Sequence, residues 1–121
     1  MAGVNKVILL GNVGKDPEIQ HLEGGVSVAR FPLATTESYK DKNGNKTEQT
    51  EWHNIVAWRG LADVVEKIIK KGVQVYIEGK IRTRKREDKD NNIRYITEII
   101  ADVITVTGKR NENNSDYTIQ S

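Results

Sequence analysis

Polar and apolar positions alternate along most of this chain, and the period changes between residues 61 and 71. Residues 4–13 read as a first strand. Val7, Ile8, Leu9 and Leu10 run consecutively there, so both faces need cover, and another subunit is one source of it. Lys15-Asp16-Pro17 and Glu23-Gly24-Gly25 punctuate as turns. A second strand spans 26–36, with Ala29, Phe31 and Leu33 on its apolar face and Pro32 marking an edge or bulge. Residues 37–50 are polar and contain Asn43-Gly44, a strong hairpin-turn signal, so they predict a long, flexible β-hairpin arm carrying Tyr39, Lys40, Lys42 and Lys46. The third strand is 51–59.

Leu61, Val64, Val65, Ile68 and Ile69 then fall at helical spacing, which predicts the one helix, over 61–71. Gly72 suits a C′ residue, and Lys70 and Lys71 suit the negative end of the helix dipole. A fourth strand covers 73–86. Val73, Val75, Ile77 and Ile81 face one way, and Gln74, Tyr76, Glu78, Lys80, Arg82, Arg84 and Arg86 face the other; Gly79 marks a bulge. Residues 87–92 form a polar hairpin tip and 93–107 a fifth strand. Residues 108–121 show no apolar periodicity and read as a disordered tail. Residues 1–108 thus make one domain, followed by the 109–121 tail. The order β-β-β-α-β-β, with long loops after the second and fourth strands, is that of an OB-fold. This is an all-β class with one helix, a five-stranded Greek-key barrel with extended β-hairpin arms, that binds oligonucleotides or oligosaccharides.

Trp52 and Trp58 lie an even number of residues apart in one strand, so they share a face with Asn54 and Val56. The plainer reading of two tryptophans is core or interface packing. A polar residue between them argues against it. Five cations (Lys80, Arg82, Arg84, Lys85, Arg86) fall on the fourth strand. Alone they would read as charges guarding a sheet edge. Beside tryptophans they make a positive groove next to stacking platforms, the arrangement that holds single-stranded nucleic acid. Lys85 points opposite to Arg84 and Arg86. Lys40, Lys42, Lys71 and Arg94 are further phosphate-contact candidates.

The 121 residues allow one domain with a real core. Net charge is only +2 at pH 7, so the basic stretch is a local patch on a nearly balanced protein. There are no cysteines, which removes disulfides, thiolate nucleophiles and Cys-based zinc sites. His21 and His53 are far apart and make no metal pair. No signal-like segment or membrane span is expected. Gly11 to Asp16 has the flavour of a phosphate loop, but two residues separate the glycines instead of four, and Asp16 stands where Ser or Thr would bind magnesium.

The stretches 4–18, Phe-Pro-Leu-Ala-Thr-Thr-Glu-Ser-Tyr (31–39), Thr-Glu-Trp-His (50–53), Lys-Gly-Val-Gln-Val-Tyr-Ile-Glu-Gly-Lys-Ile-Arg-Thr-Arg (71–84) and Arg-Tyr-Ile-Thr-Glu (94–98) resemble bacterial single-stranded DNA-binding proteins over roughly 3–108. The resemblance implies a non-enzymatic protein without cofactors that coats single-stranded DNA in replication, recombination and repair. It implies a cytoplasmic, nucleoid-associated homotetramer, a dimer of dimers. Tyr39, Trp52 and Trp58 fall on the family's stacking positions, whereas Arg86 stands where a fourth aromatic is usual; a guanidinium plane can still stack on a base. Strand one (Val7, Ile8) and His53 would form the dimer contact, and Gln74, Tyr76 and Glu78 the contact between dimers. Replication and repair proteins are implied partners, though the ending Asp-Tyr-Thr-Ile-Gln-Ser departs from the family's acidic Pro-Phe tail, which recruits them. Two other readings stay open at this point: an OB module whose arm and tryptophans dock a protein, and a small nuclease, which would need clustered metal-binding acids.

Overall fold

The computed structural model describes residues 1–108 and the backbone of a strand at Tyr117–Gln120. Its elements run β1 (Val7–Val13), β2 (Glu18–His21), a 3₁₀ turn (Glu23–Gly25), β3 (Ser27–Lys40), β4 (Lys46–Trp58), α1 (Gly60–Ile68), β5 (Gln74–Glu87), β6 (Ile93–Gly108) and β7 (Tyr117–Gln120). Strands pair in the order β1-β5-β6-β4-β3-β2, and β1 also pairs with β3 through Asn12 opposite Ala34 and Val13 opposite Leu33. The second pairing of β1 closes β1, β5, β6, β4 and β3 into a five-stranded barrel, the expected OB-fold. All strand pairs are antiparallel except β4 with β6, which run parallel at Ile55–Ile99 and Val56–Ile100.

The alternation read from the sequence explains the core. Ala29, Phe31 and Leu33 of β3, Ile55 and Ala57 of β4, Val75 and Ile77 of β5, and Ala101, Ile104 and Val106 of β6 point inward and are buried together. Leu61, Ala62 and Val65 of α1, with Ile69 just beyond it, add the helix's apolar face to the same core. The helix ends earlier than its apolar spacing predicts: Ile69 is already extended, and Gly72, with φ +91°, turns the chain three residues later.

Both hairpins outgrow the barrel. β3 and β4 stay paired to Lys40–Lys46, and β5 and β6 to Glu87–Ile93. Their tips are built alike, as Asp41-Lys-Asn-Gly-Asn45 and Asp88-Lys-Asp-Asn-Asn92. In each, the aspartate Oδ1 accepts hydrogen bonds from the backbone N–H groups two and four residues on, all at 2.9 Å. The fourth residue has positive φ, Gly44 at +79° and Asn91 at +62°.

Several expectations change. Residues 18–21, between the two predicted turns and given no element by the sequence pattern, form the short edge strand β2 on β3. A register shift does fall at Glu78/Gly79, but the extra residue is Asp102 of β6, since Glu78 faces Val103 and Gly79 faces Ala101. Gly79 is needed because a Cβ there would collide with the backbone oxygen of Ile100. Ile81, expected on the core face, is half exposed, because β5 has left the barrel by then. Within the segment read as a disordered tail, Tyr117–Gln120 pairs with β6; 109–116 and 121 lie outside the described residues.

Candidate nucleic-acid interface

The outward face of β4 carries the two tryptophans. Pairing sets Trp52 opposite Ala34 and Trp58 opposite Val28, with Pro32 opposite Asn54 between them. Six strand positions set the backbones of the two tryptophans about 20 Å apart, enough for two independent stacking platforms. Trp52 is 62% exposed. The edge of its six-membered ring lies against the Cα of Gly14, where no side chain stands in its way. Trp58 is half-buried and borders a second cleft of about 440 Å³ with Arg59, Leu61 and Asp102. Tyr39, 52% exposed, stands near the end of the β3–β4 arm. Lys40 and Lys42 flank it on the exposed tip.

Beside the tryptophan face runs an open groove of about 700 Å³. Arg84 and Arg86 of β5 enter it as the sequence predicts, together with Asn54. Arg82 is exposed but does not line it. Lys71 stands outside the groove, its backbone N–H donating to Asp16 Oδ1 at 2.9 Å. Arg94 is placed at the β5–β6 tip, where its Nε donates to Asp88 Oδ2 at 3.1 Å. Asp88's carboxyl is held below the usual carboxylate range by the backbone N–H of Asn92 first and by Arg94 second.

The sequence reading missed several charged members of the groove: Arg30 and Glu98, and also Lys15, Asp16 and Glu18 along its rim of β2 and the turn before it. Glu98 is 6% exposed and lies among the groove's cations. Its Oε1 accepts from Arg84 Nε at 3.0 Å, and its Oε2 lies 3.8 Å from Arg30 Nε. A charge at 98 beside Ile96, Ile99 and Ile100 was the available signal, since an acid amid β-branched residues needs a partner. Also missed was Tyr95, 66% exposed on the β5–β6 arm with Lys85 Nζ 6.0 Å from its ring centre.

The residues read as interface candidates divide. Val7 turns inward against the chain's own core, whereas Ile8 and Leu10 point out and are more than half exposed. They sit opposite Glu78 and Tyr76 on β5. Lys6 Nζ donates to Glu78 Oε1 and the Tyr76 hydroxyl donates to Glu78 Oε2, both at 2.7 Å. Gln74 is half-buried and bonded to Thr107. His53 is half-buried, its Nε2 2.9 Å from Thr35 Oγ1. Among the described residues no three His, Asp or Glu gather as a metal group, the cluster a metal-dependent nuclease would need. No helix among the described residues is long and apolar enough to cross a membrane.

Comparison with known proteins places this geometry. A solved structure, the Plasmodium falciparum SSB complex with ssDNA, superposes with a TM-score of 0.74 at 39% identity, covering 83% of this chain and 88% of that one. Single-stranded DNA-binding protein 1 of Xylella fastidiosa is 46% identical over 115 residues, which is 94% of this chain and 85% of the relative. The single-stranded DNA-binding proteins of two Neisseria meningitidis serogroups are 44% identical over 110 residues, and the match spans 63% of their length. A closed OB barrel, a tryptophan face beside an arginine groove and these relatives agree with the single-strand binding protein family model, which matches residues 4–107, and the chain belongs to that family.

Proposed function

We propose that this protein binds and coats single-stranded DNA without sequence preference. The observation that carries the reading is Trp52, a tryptophan 62% exposed beside a groove that holds Arg30, Arg84 and Arg86. A base stacked there gains about 1–3 kcal/mol whichever base it is, because every base has a π-face. Trp58 and Tyr39 extend the stacking track along β4 and the arm. Lys40, Lys42, Lys71, Arg82, Arg84, Arg86 and Arg94 supply phosphate attraction, so affinity falls with salt through counterion release. The role is that of a binding protein in replication, recombination and repair, in the cytoplasm at the nucleoid.

The working form is a homotetramer. β1 pairs with β5 over Val7–Asn12 but with β3 only at Asn12 and Val13, so among the described residues most of one edge is unpaired. An unpaired edge flanked by exposed Ile8 and Leu10 supports strand addition by a second copy. Tyr76 and Glu78 lie on the same outward face as Ile8 and Leu10 and support a second contact. Titration with oligo(dT), following tryptophan fluorescence at low and high salt with duplex DNA as control, tests the binding reading. Quenching by the single strand alone, weakened by salt, is expected. No quenching would put both indoles in a protein interface instead.

A further inference from the structure

A carboxylate in a groove for phosphates is a liability unless it does something there. Asp16 and Glu18 also line that groove but are exposed to solvent, whereas Glu98 is only 6% exposed there, where its charge repels a DNA backbone. Burying it without partners would be costly, and its partners are the guanidinium groups that such a backbone needs. The ladder explains how they meet. Arg30 on β3 pairs with Val56 on β4, and Val56 pairs with Ile100 on β6, two residues from Glu98 and on the same face. Arg30 therefore reaches over β4 toward Glu98 Oε2, and Arg84 comes from β5 on the other side to Oε1. The side chains of Arg30 and Arg84 remain 37% and 42% exposed, so they are anchored from below and open above. Arg84 spends its Nε on Glu98. A guanidinium has five N–H donors in a fixed fork, so four stay available to an anion.

We propose that Glu98 is a positioning residue for phosphate: it holds Arg30 and Arg84 side by side as a preorganised clamp in the groove. This deepens the single-stranded DNA reading and rests on it. A flexible arginine gives up rotamer freedom when it binds; one already fixed does not, and that saving favours the complex.

The sign of one substitution separates this role from mere charge. Glu98→Gln removes a negative charge from the groove at almost constant shape. Coulomb attraction alone predicts equal or tighter DNA binding. The clamp predicts affinity for oligo(dT) lower by roughly tenfold, the size of one charge-assisted hydrogen bond. It also predicts a plot of log affinity against log salt flatter by about 0.7, one phosphate contact on a single strand. In an Arg84→Ala background Glu98→Gln should cost less than it does in the parent protein, since of the two groups it positions only the more distant Arg30 remains. Unchanged or tighter binding by Glu98→Gln, or full additivity with Arg84→Ala, overturns the proposal. Should Glu98→Gln fail to fold, Arg84→Lys decides: it keeps the charge and loses the fork, and binding equal to the parent protein overturns the clamp. Failure of the unsubstituted protein to bind oligo(dT) would sink the binding reading itself, a result the variant comparisons cannot mimic.

Discussion

The indole of Trp52 rests on the Cα of Gly14: a methyl group there would fall 2.8 Å from Cη2 and closer still to Cζ3. The loop after β1 thus provides the floor on which a β4 side chain is displayed. Gly14→Ala should lift the ring off that floor without disturbing the core, because a side chain 62% exposed has room to swing away. The expected outcome is a melting temperature close to the parent's with affinity for oligo(dT) reduced several-fold, below the roughly 1–3 kcal/mol of losing a stacked base outright. Fluorescence titration and thermal melting on the same sample check it. Unchanged affinity would mean the resting pose of Trp52 has no bearing on the complex.

Trp52 and Trp58 should behave differently on truncation. Trp52→Ala removes an exposed ring, so it should lower affinity for all homopolymers by a similar factor, about 1–3 kcal/mol, and leave stability nearly intact. Trp58 is half-buried beside α1, so Trp58→Ala should also lower the melting temperature. Loss on one homopolymer alone would sink stacking as the mode of binding.

How far the sequence carried the fold follows from which interactions are local. Strand alternation, the helical spacing at 61–69 and the turn residues are local signals, and they located five strands, the helix and both arms. β2 was missed because four residues, Glu18-Ile-Gln-His21, give too little alternation to see, and only pairing with β3 makes them a strand. Ile81 was misplaced because alternation says which face a residue is on but not where the barrel ends. The bulge was legible as glycine at 79, but the extra residue lies across the ladder at 102, in a strand whose own pattern does not announce it. In the site, Trp52, Asn54, Arg84 and Arg86 were legible from face and charge. Arg30 and Glu98 were not, because their pairing spans strands β3, β4 and β6, and register across a barrel is set by tertiary packing.

The β5–β6 tip should loosen in acid. Asp88 binds two backbone N–H groups and Arg94, and its carboxyl titrates below its ordinary value for that reason, Asn92 first. A depressed folded-state value contributes order that is fully present above the unfolded value, near 3.8, and is lost as pH falls through the lowered one. Amide exchange at Asp90 and Asn92 should therefore stay protected at pH 5 to 7 and become faster than its pH trend only in stronger acid. Asp88→Ala should remove the protection at every pH. Protection at neutral pH in that variant would show that the aspartate does not hold the tip.

Association should depend on β1. Ile8 is 60% and Leu10 54% exposed on the strand whose edge is mostly unpaired. Two such side chains at an open edge, beside the Lys6–Glu78–Tyr76 hydrogen bonds, favour burial against a second copy over solvent exposure. Ile8→Glu would place an unpaired carboxylate in that contact, near Glu78, where like charges repel. Its core should survive, since Ile8 points away from Ile77 and Val75. Sedimentation should therefore show the variant at lower mass with an unchanged far-ultraviolet dichroism spectrum. Affinity for a short oligo(dT) that spans one subunit should hold, and affinity for long single strands should fall, because linked binding sites reinforce one another only while the subunits stay joined. An unchanged mass would move the interface elsewhere on the barrel and leave Ile8 and Leu10 as exposed edge residues with another task.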